Sequence, residues 1–286
     1  MASMKDIKRR KDSIQSTEQI TKAMKLVATV KLQKAKEKAE AARPYFDAMY
    51  ENVLTMLART KNVEHRYLKA GTSPKKGLIV ITANRGLAGG YNSSITRLVA
   101  DSGIPKDECV IYAVGIKGRD YFSRRKYDIA ADYSEVINEP IYSDAMEIGR
   151  RVLADFESGK IGEIYLVYTQ FKNTVVHTPQ MVKLLPLSQE DIGENAEDAT
   201  GALMTYEPEE EEALSIIIPK YINSLIYGAL MESIASENGA RMTAMDNATN
   251  NADEMINDLS LKYNRARQSS ITQELTEIIA GANAIS

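Results

Sequence analysis

The sequence predicts a mixed α+β fold: a long antiparallel coiled coil of N- and C-terminal helices plus one small α/β domain. Three observations in the 286-residue chain predict it. Both ends are long stretches almost free of Gly and Pro. The middle alternates strand-like apolar runs with amphipathic helical ones. The C-terminal stretch repeats its apolar residues every seven positions.

The N-terminal stretch comes first. From Lys5 to Arg59 there is no Gly, and the one Pro is Pro44. Ala, Lys, Glu, Met and Leu dominate, and these side chains lose little freedom in a helix. Ile7, Ile14, Ile20, Met24, Val27 and Leu32 recur at helix-like steps, continued by Tyr45, Phe46, Met49, Val53 and Leu57. Pro44 is expected to bend this helix rather than end it. At 1.5 Å per residue, roughly 55 residues span about 80 Å.

The middle has a different texture. KKGLIVITANRG is a strand closed by a Gly-rich loop, and SSITRLVADSG reads as a helix. CVIYAVG is a strand, IKGRDYFSRR and SDAMEIGRRVLADFESG are helices, EIYLVYTQF is a strand, and TVVHTPQMVKLLPL is a further extended piece. Strands alternating with helices imply a small Rossmann-like α/β domain with a largely parallel sheet. The expected boundaries are 1–59 for the N-terminal helix, 75–190 for the α/β domain, 191–207 for a polar loop and 208–286 for the C-terminal helix.

From Pro219 to Ala282 no further Pro occurs, and Gly228, Gly239 and Gly281 are isolated. One seven-residue column is Met231, Asn238, Met245, Ala252, Leu259 and Ala266; a second is Ala235, Met242, Thr249, Ile256 and Tyr263. Such columns are the seam of a coiled coil. About 65 residues span nearly 100 Å, far more than the roughly 30 Å of a small domain, so the two long helices are expected to pair with each other. One runs towards the domain and the other away, which makes the pair antiparallel. The second helix is the longer, and its tip, SSITQELTEIIAGANAIS, should overshoot. The stripe Ile271, Leu275, Ile278 and Ala282, with Ile279 beside it, then has no partner in its own chain and calls for another protein.

Composition excludes several classes. Hydrophobic residues make up 44% and charged residues 26%, an ordinary globular balance. No apolar run approaches the ~20 residues of a membrane span. The start, MASMKDIKRRKDSIQ, is charged and reads as no secretory signal. The single cysteine, Cys109, precludes an internal disulfide and suggests a reducing compartment. Residues 1–43 carry twelve bases and five acids, a surplus of seven positive charges; from Glu207 onward thirteen acids face five bases, a surplus of eight negative ones. Either the two ends meet, or two solvated helix faces differ in sign.

Motifs that suggest chemistry fail on spacing. Asn84-Arg85-Gly86-Leu87-Ala88-Gly89-Gly90 sits where a dinucleotide fingerprint would, but its glycines do not make G-x-G-x-x-G and no GK[ST] follows. A tight strand-to-helix turn is the simpler reading, and Gly115-Ile116-Lys117-Gly118 is weaker still. His65 and His177 have no Cys or carboxylate at ligand spacing, and Ser93-Ser94 lies outside any nucleophile elbow. The basic head lacks interleaved aromatics, which argues against nucleic acid. No catalytic residue, cofactor or metal is expected.

Taken together, STEQITKAMKLVA (residues 16–28), TANRGLAGGYN (82–92), YNRARQ (263–268) and SITQELTEIIAGA (270–282) resemble the gamma subunit of bacterial F-type ATP synthases, the central stalk of a rotary motor. The resemblance covers essentially the whole chain. It implies a non-catalytic subunit of a proton-translocating ATP synthase, present in single copy in a hetero-oligomer on the cytoplasmic face of the bacterial cell membrane. The implied partners are the alpha and beta subunits of the catalytic hexamer, the epsilon subunit and the membrane c-subunit ring. Met24 and Lys25 match shaft positions that face the beta subunit; Arg241, Arg267, Gln268 and Thr272 match positions at the hexamer's catch loops; Tyr206 and Glu207 match positions at the foot, near epsilon and the ring. For Met24 a plain seam position, and for Arg267 a solvated arginine, are the competing readings. A non-rotary coiled-coil scaffold, or an α/β enzyme with helical arms, would use the same long helices without requiring the tip. The cysteine-bearing insertion of photosynthetic relatives is absent.

Overall fold

The computed structural model describes residues 4–59, 65–174, 176–187 and 210–285. Two helices dominate: α1, Met4–Arg59, and α5, Glu210–Ile285. Between them lie β1 (Lys76–Ile81), α2 (Tyr91–Ala100), β2 (Cys109–Val114), α3 (Ile116–Arg124), β3 (Asp128–Asp132), α4 (Tyr142–Glu157), β4 (Glu163–Phe171) and β5 (His177–Leu185). The chain forms two compact units. One comprises Met1–Ala28 with Arg241–Ser286; the other is Thr29–Ala240. Both long helices contribute residues to each.

The second unit holds a five-stranded sheet in the order β3-β2-β1-β4-β5. The first four strands run parallel, and β5 returns antiparallel to β4. β2 is buried along its whole length and β1 along all but its first residue, as central strands of a two-sided sheet must be. Alternation then sends successive side chains to opposite faces. Leu78, Val80, Ile111 and Ala113 meet Ile95 and Val99 of α2 and Phe122 of α3. Ile79, Ile81, Tyr112 and Val114 belong to the other core, with Ile148, Val152 and Phe156 of α4, Leu214, Ile218 and Ile222 of α5, and Val53 and Met56 of α1. By length and composition α5 does contain a stretch apolar enough to cross a membrane, contrary to the expectation from uninterrupted runs. Within the second unit, however, Leu214, Ile218, Ile222, Ile226 and Leu230 spend that apolarity on the protein's own core.

Two polar joints in this core lead to measurable expectations. The Tyr112 hydroxyl donates to Asp155 Oδ2 at 2.6 Å, and Asp155 also receives Arg151 and Lys160. Burial pushes the Asp155 carboxyl up, but the hydrogen bonds from Tyr112 and Lys160 outweigh it and hold the group below its ordinary value. Tyr112→Phe removes one charge-assisted bond and leaves two, so it should cost about 1–2 kcal/mol in denaturant unfolding.

The second joint is His65, which is buried. Its Nδ1 accepts the Tyr67 N–H at 3.2 Å, which places the proton on Nε2, 2.9 Å from Ser215 Oγ. Burial, then the neighbouring Arg66 charge, lowers its pKa. The folded state therefore takes up a proton less readily than the unfolded chain, whose histidines titrate near 6.5. Stability should fall as pH drops below about 6.5 and level off once the folded histidine also titrates. His177 is lowered in the same direction, by burial. His65→Gln should flatten part of this slope and leave the His177 share, which unfolding midpoints between pH 7.5 and 5 would measure.

Candidate partner-contact surface

In an open α/β sheet, ligands lie beyond the C-terminal ends of the parallel strands. Here the chain's own atoms occupy that edge. The first three amides of α3 are taken: Ile116 N–H donates to Asn84 Oδ1 at 2.9 Å, Lys117 N–H to the Ala83 carbonyl at 3.1 Å, and Gly118 N–H to Thr82 Oγ1 at 2.8 Å. These donors would otherwise form an anion site. Asn84 is itself fixed by donating to the Ser134 carbonyl at 2.7 Å. Gly115 (φ +100°) stands so close to Thr82 that an added Cβ would lie 2.1 Å from its carbonyl oxygen, so no side chain fits there. Ala240 of α5 packs on Ala83, Ala88 and Tyr91 of the Gly-rich loop. The loop is a turn that seats a helix. Among the described residues no group of His, Cys, Asp and Glu has the arrangement of a metal site.

The first unit presents a different kind of surface. Inside it, Thr21 Oγ1 and Thr249 Oγ1 lie 2.8 Å apart and are buried. Lys25 Nζ lies 2.5 Å from Asp246 Oδ1. Met245, Ala252 and Leu259 of the first heptad column are buried; of the second, Thr249 is buried and Met242, Ile256 and Tyr263 are half-buried. On α1 the reading differs from the sequence expectation. Thr21 and Ala28 are buried and Ile7 and Ile14 half-buried, whereas Ile20 and Val27 are about 60% exposed. The seam runs 7, 14, 21, 28, one residue beyond the larger side chains. In its second half it holds the small Thr21 and Ala28, and Ile20, Leu26 and Val27 are left facing outwards.

The implied contact residues fall into three sets. Met24 is half-buried, and Lys25 is half-buried and held by Asp246. Arg241 is half-buried, while Arg267, Gln268 and Thr272 are exposed. The Thr272 hydroxyl donates to the Gln268 carbonyl at 2.9 Å, one turn back. Tyr206 and Glu207 lie outside the described residues. Beyond them on α5, Ile271, Leu275, Ile278 and Ile279 are all exposed. Sequence reasoning missed Ile20, Leu26 and Val27 as surface residues; the unbroken seven-residue spacing of Ile7, Ile14, Thr21 and Ala28 is the signal that finds them.

Exposed apolar and cationic side chains along the first unit's helices present a surface of the kind that other proteins cover. A family model described as ATP synthase matches residues 3–285. The ATP synthase gamma chain of Lachnoclostridium phytofermentans is 68% identical over 290 residues, covering 100% of both chains. A chain from the central stalk and c-ring of the Tetrahymena thermophila mitochondrial ATP synthase is similar at 27% identity and a TM-score of 0.59, over 80% of this chain and 99% of that one. A chain from the Euglena gracilis mitochondrial ATP synthase shares the fold at 19% identity and a TM-score of 0.70, over 99% and 94%. The chain belongs to the ATP synthase gamma chain family, whose members are non-catalytic subunits of the ATP synthase complex.

Proposed function

We propose that this chain is the rotating shaft that couples transmembrane ion flow to ATP synthesis or hydrolysis in a hexamer of alpha and beta subunits. The observation that carries this reading is the exposed apolar face of α5 at Ile271, Leu275, Ile278 and Ile279 in a chain of this family. Side chains so exposed ask for a cover, and a sleeve at the top of a hexamer is one in which a helix can turn. The Thr21–Thr249 and Lys25–Asp246 contacts support an antiparallel coiled coil of α1 with α5: as numbers rise on one helix they fall on the other. By role, residues 1–59 and 208–286 form the shaft, and residues 75–190, with the 191–207 loop, form the foot.

In this reading Met24, Lys25, Arg241, Arg267, Gln268 and Thr272 meet the hexamer, and Tyr206 and Glu207 meet the epsilon subunit and the membrane c-ring. The chain stands in single copy as a peripheral protein on the cytoplasmic face of the bacterial membrane. It does no bond chemistry. An asymmetric shaft contacts three catalytic sites differently at each angle, so each site's affinity for nucleotide depends on that angle. The coupling is a free energy and works in both directions. The native mass of the purified complex tests it. One copy per three alpha–beta pairs is expected; two or more copies, or micromolar ATP binding by the isolated chain in isothermal titration, would overturn it.

A further inference from the structure

We infer that the paired ends of β4 and β5 form an acid-opened latch that fastens the α/β domain to both α1 and α5. Phe171 and His177 stand opposite each other in the antiparallel register, with ring centroids 5.9 Å apart. Each long helix reaches this pair. From α1, the Lys36 ammonium sits 5.1 Å from the centre of the Phe171 ring. From α5, Glu232 Oε2 accepts the Phe171 N–H at 3.4 Å, and Ser236 Oγ donates to the Thr169 carbonyl at 3.1 Å. Gly239 supplies the seat for the imidazole: an added Cβ there would lie 2.8 Å from His177 Cε1 and 3.5 Å from the Phe171 ring. All of these residues belong to the second unit.

The seat suits a neutral imidazole. Both ring nitrogens of His177 are buried without a hydrogen-bond partner. A neutral ring leaves one donor and one acceptor unmet. A charged ring leaves two donors and a charge out of water, which costs far more. The surrounding groups do not offset that charge. Lys36 of α1 is a cation, and so is the exposed Lys172 beside Phe171. On α5, Glu237 and Arg241 stand two residues either side of Gly239 and differ in sign. Glu232 is the acid at the joint, and its carboxylate already serves the Phe171 amide. Burial lowers the pKa of His177 and outweighs the opposing Thr174 backbone. An opened, solvated imidazole therefore takes up a proton more readily than the seated one, and falling pH moves the joint towards the open form. Glu232 works the other way: burial raises its pKa, so its own protonation favours the closed form. Removing the histidine isolates its share. In the shaft reading this joint lies where the foot grips both helices, so opening it loosens the path of the turning force. That consequence rests on the shaft reading; the latch itself does not.

The test uses the full chain. It has two histidines, so an NMR titration shows two imidazole Cε1–H signals, and His177→Gln assigns them. Expected is a His177 value below the ordinary 6.5 or so. Amide exchange is read by peptide mass at pH 7.5 and 5.5 and corrected for the chemical rate. Peptides holding Phe171, His177 and residues 232–240 of α5 should open more at pH 5.5. The parent's change divided by that of His177→Gln should be about five- to tenfold, since a free imidazole is about nine-tenths protonated at pH 5.5. Gly239→Ala is the second variant. Inside an ordinary helix this change adds stability. Here the new methyl takes the imidazole's seat, so His177 should titrate nearer 6.5 and the same peptides should open at pH 7.5 as well. Circular dichroism at pH 7.5 checks that both variants keep their helices; should one lose them, the parent's own titration and exchange decide the matter. The inference is overturned if His177 titrates at 6.5 or above in the parent, or if the parent's peptides open no more at pH 5.5 than at 7.5. It is overturned equally if His177→Gln keeps the parent's response, or if Gly239→Ala leaves the His177 titration where it was. None of these readouts involves the alpha or beta subunits, and the native mass of the complex tests the shaft reading alone, so the two readings fail separately.

Discussion

Met245→Asp is expected to cost the pairing of α1 with α5 on the order of 3–5 kcal/mol, the scale of a buried charge without a partner. Met245 is 5% exposed, and it stands one helical turn before Thr249 in the same unit. Asp246, the next residue, already engages the Lys25 ammonium at 2.5 Å. A new carboxylate could draw Lys25 away only by stripping Asp246 of its partner, so the exchange gains little. Helix content at 222 nm and the yield of assembled complex should both fall. Met245→Leu keeps the volume and should cost less than about 1.5 kcal/mol. The pH response separates charge from shape. Burial raises the pKa of the introduced Asp above its unfolded value, so its penalty is full at pH 7 and shrinks as pH falls and the acid takes up a proton. If the Asp variant melts and assembles like the parent at pH 7, residue 245 is not in a seam.

How much of this could be read from the chain depends on what each seam is made of. On α5, Met231, Met245 and Leu259 are bulky enough to mark a seven-residue column against a polar background, and the column is buried where the sequence places it. On α1 the seam holds Thr21 and Ala28, while the larger Ile20 and Val27 next to them are exposed. Hydrophobicity therefore points one residue away from the buried face, and only the regular spacing reveals it. β3 (Asp128–Asp132) was not among the expected strands. It has five residues with an exposed acid at each end, so as an edge strand it lacks the apolar run that marked β1 and β2. The apolar face of the tip was legible because it lies in one continuous run. The Gly-rich loop was set aside on spacing alone, whereas the use of Asn84 and Thr82 as acceptors for the first amides of α3 belongs to the tertiary structure.

The largest functional contrast is expected from two truncations of α5. Deleting Gly281 to Ser286 removes little more than one turn. An added Cβ at Gly281 would meet nothing within 4 Å, and Ala282 is exposed. Even if a partner covers that turn, its apolar groups contribute about 1–3 kcal/mol, modest beside a shaft helix of 76 residues. Complexes with this chain should assemble, hydrolyse ATP and retain a large part of their ATP synthesis. Deleting from Arg265 onward removes far more. Ile271, Leu275, Ile278 and Ile279 go, each worth about 1.5–3 kcal/mol when buried against a partner. Arg267, Gln268 and Thr272, the proposed hexamer contacts, go with them. Synthesis in inverted membrane vesicles should then drop by at least tenfold, since even about 1.4 kcal/mol of lost contact is a factor of ten. Should the short deletion abolish synthesis while the complex stays assembled, the last turn does more than fill a sleeve, and the apolar face of α5 is not the bearing it is taken to be.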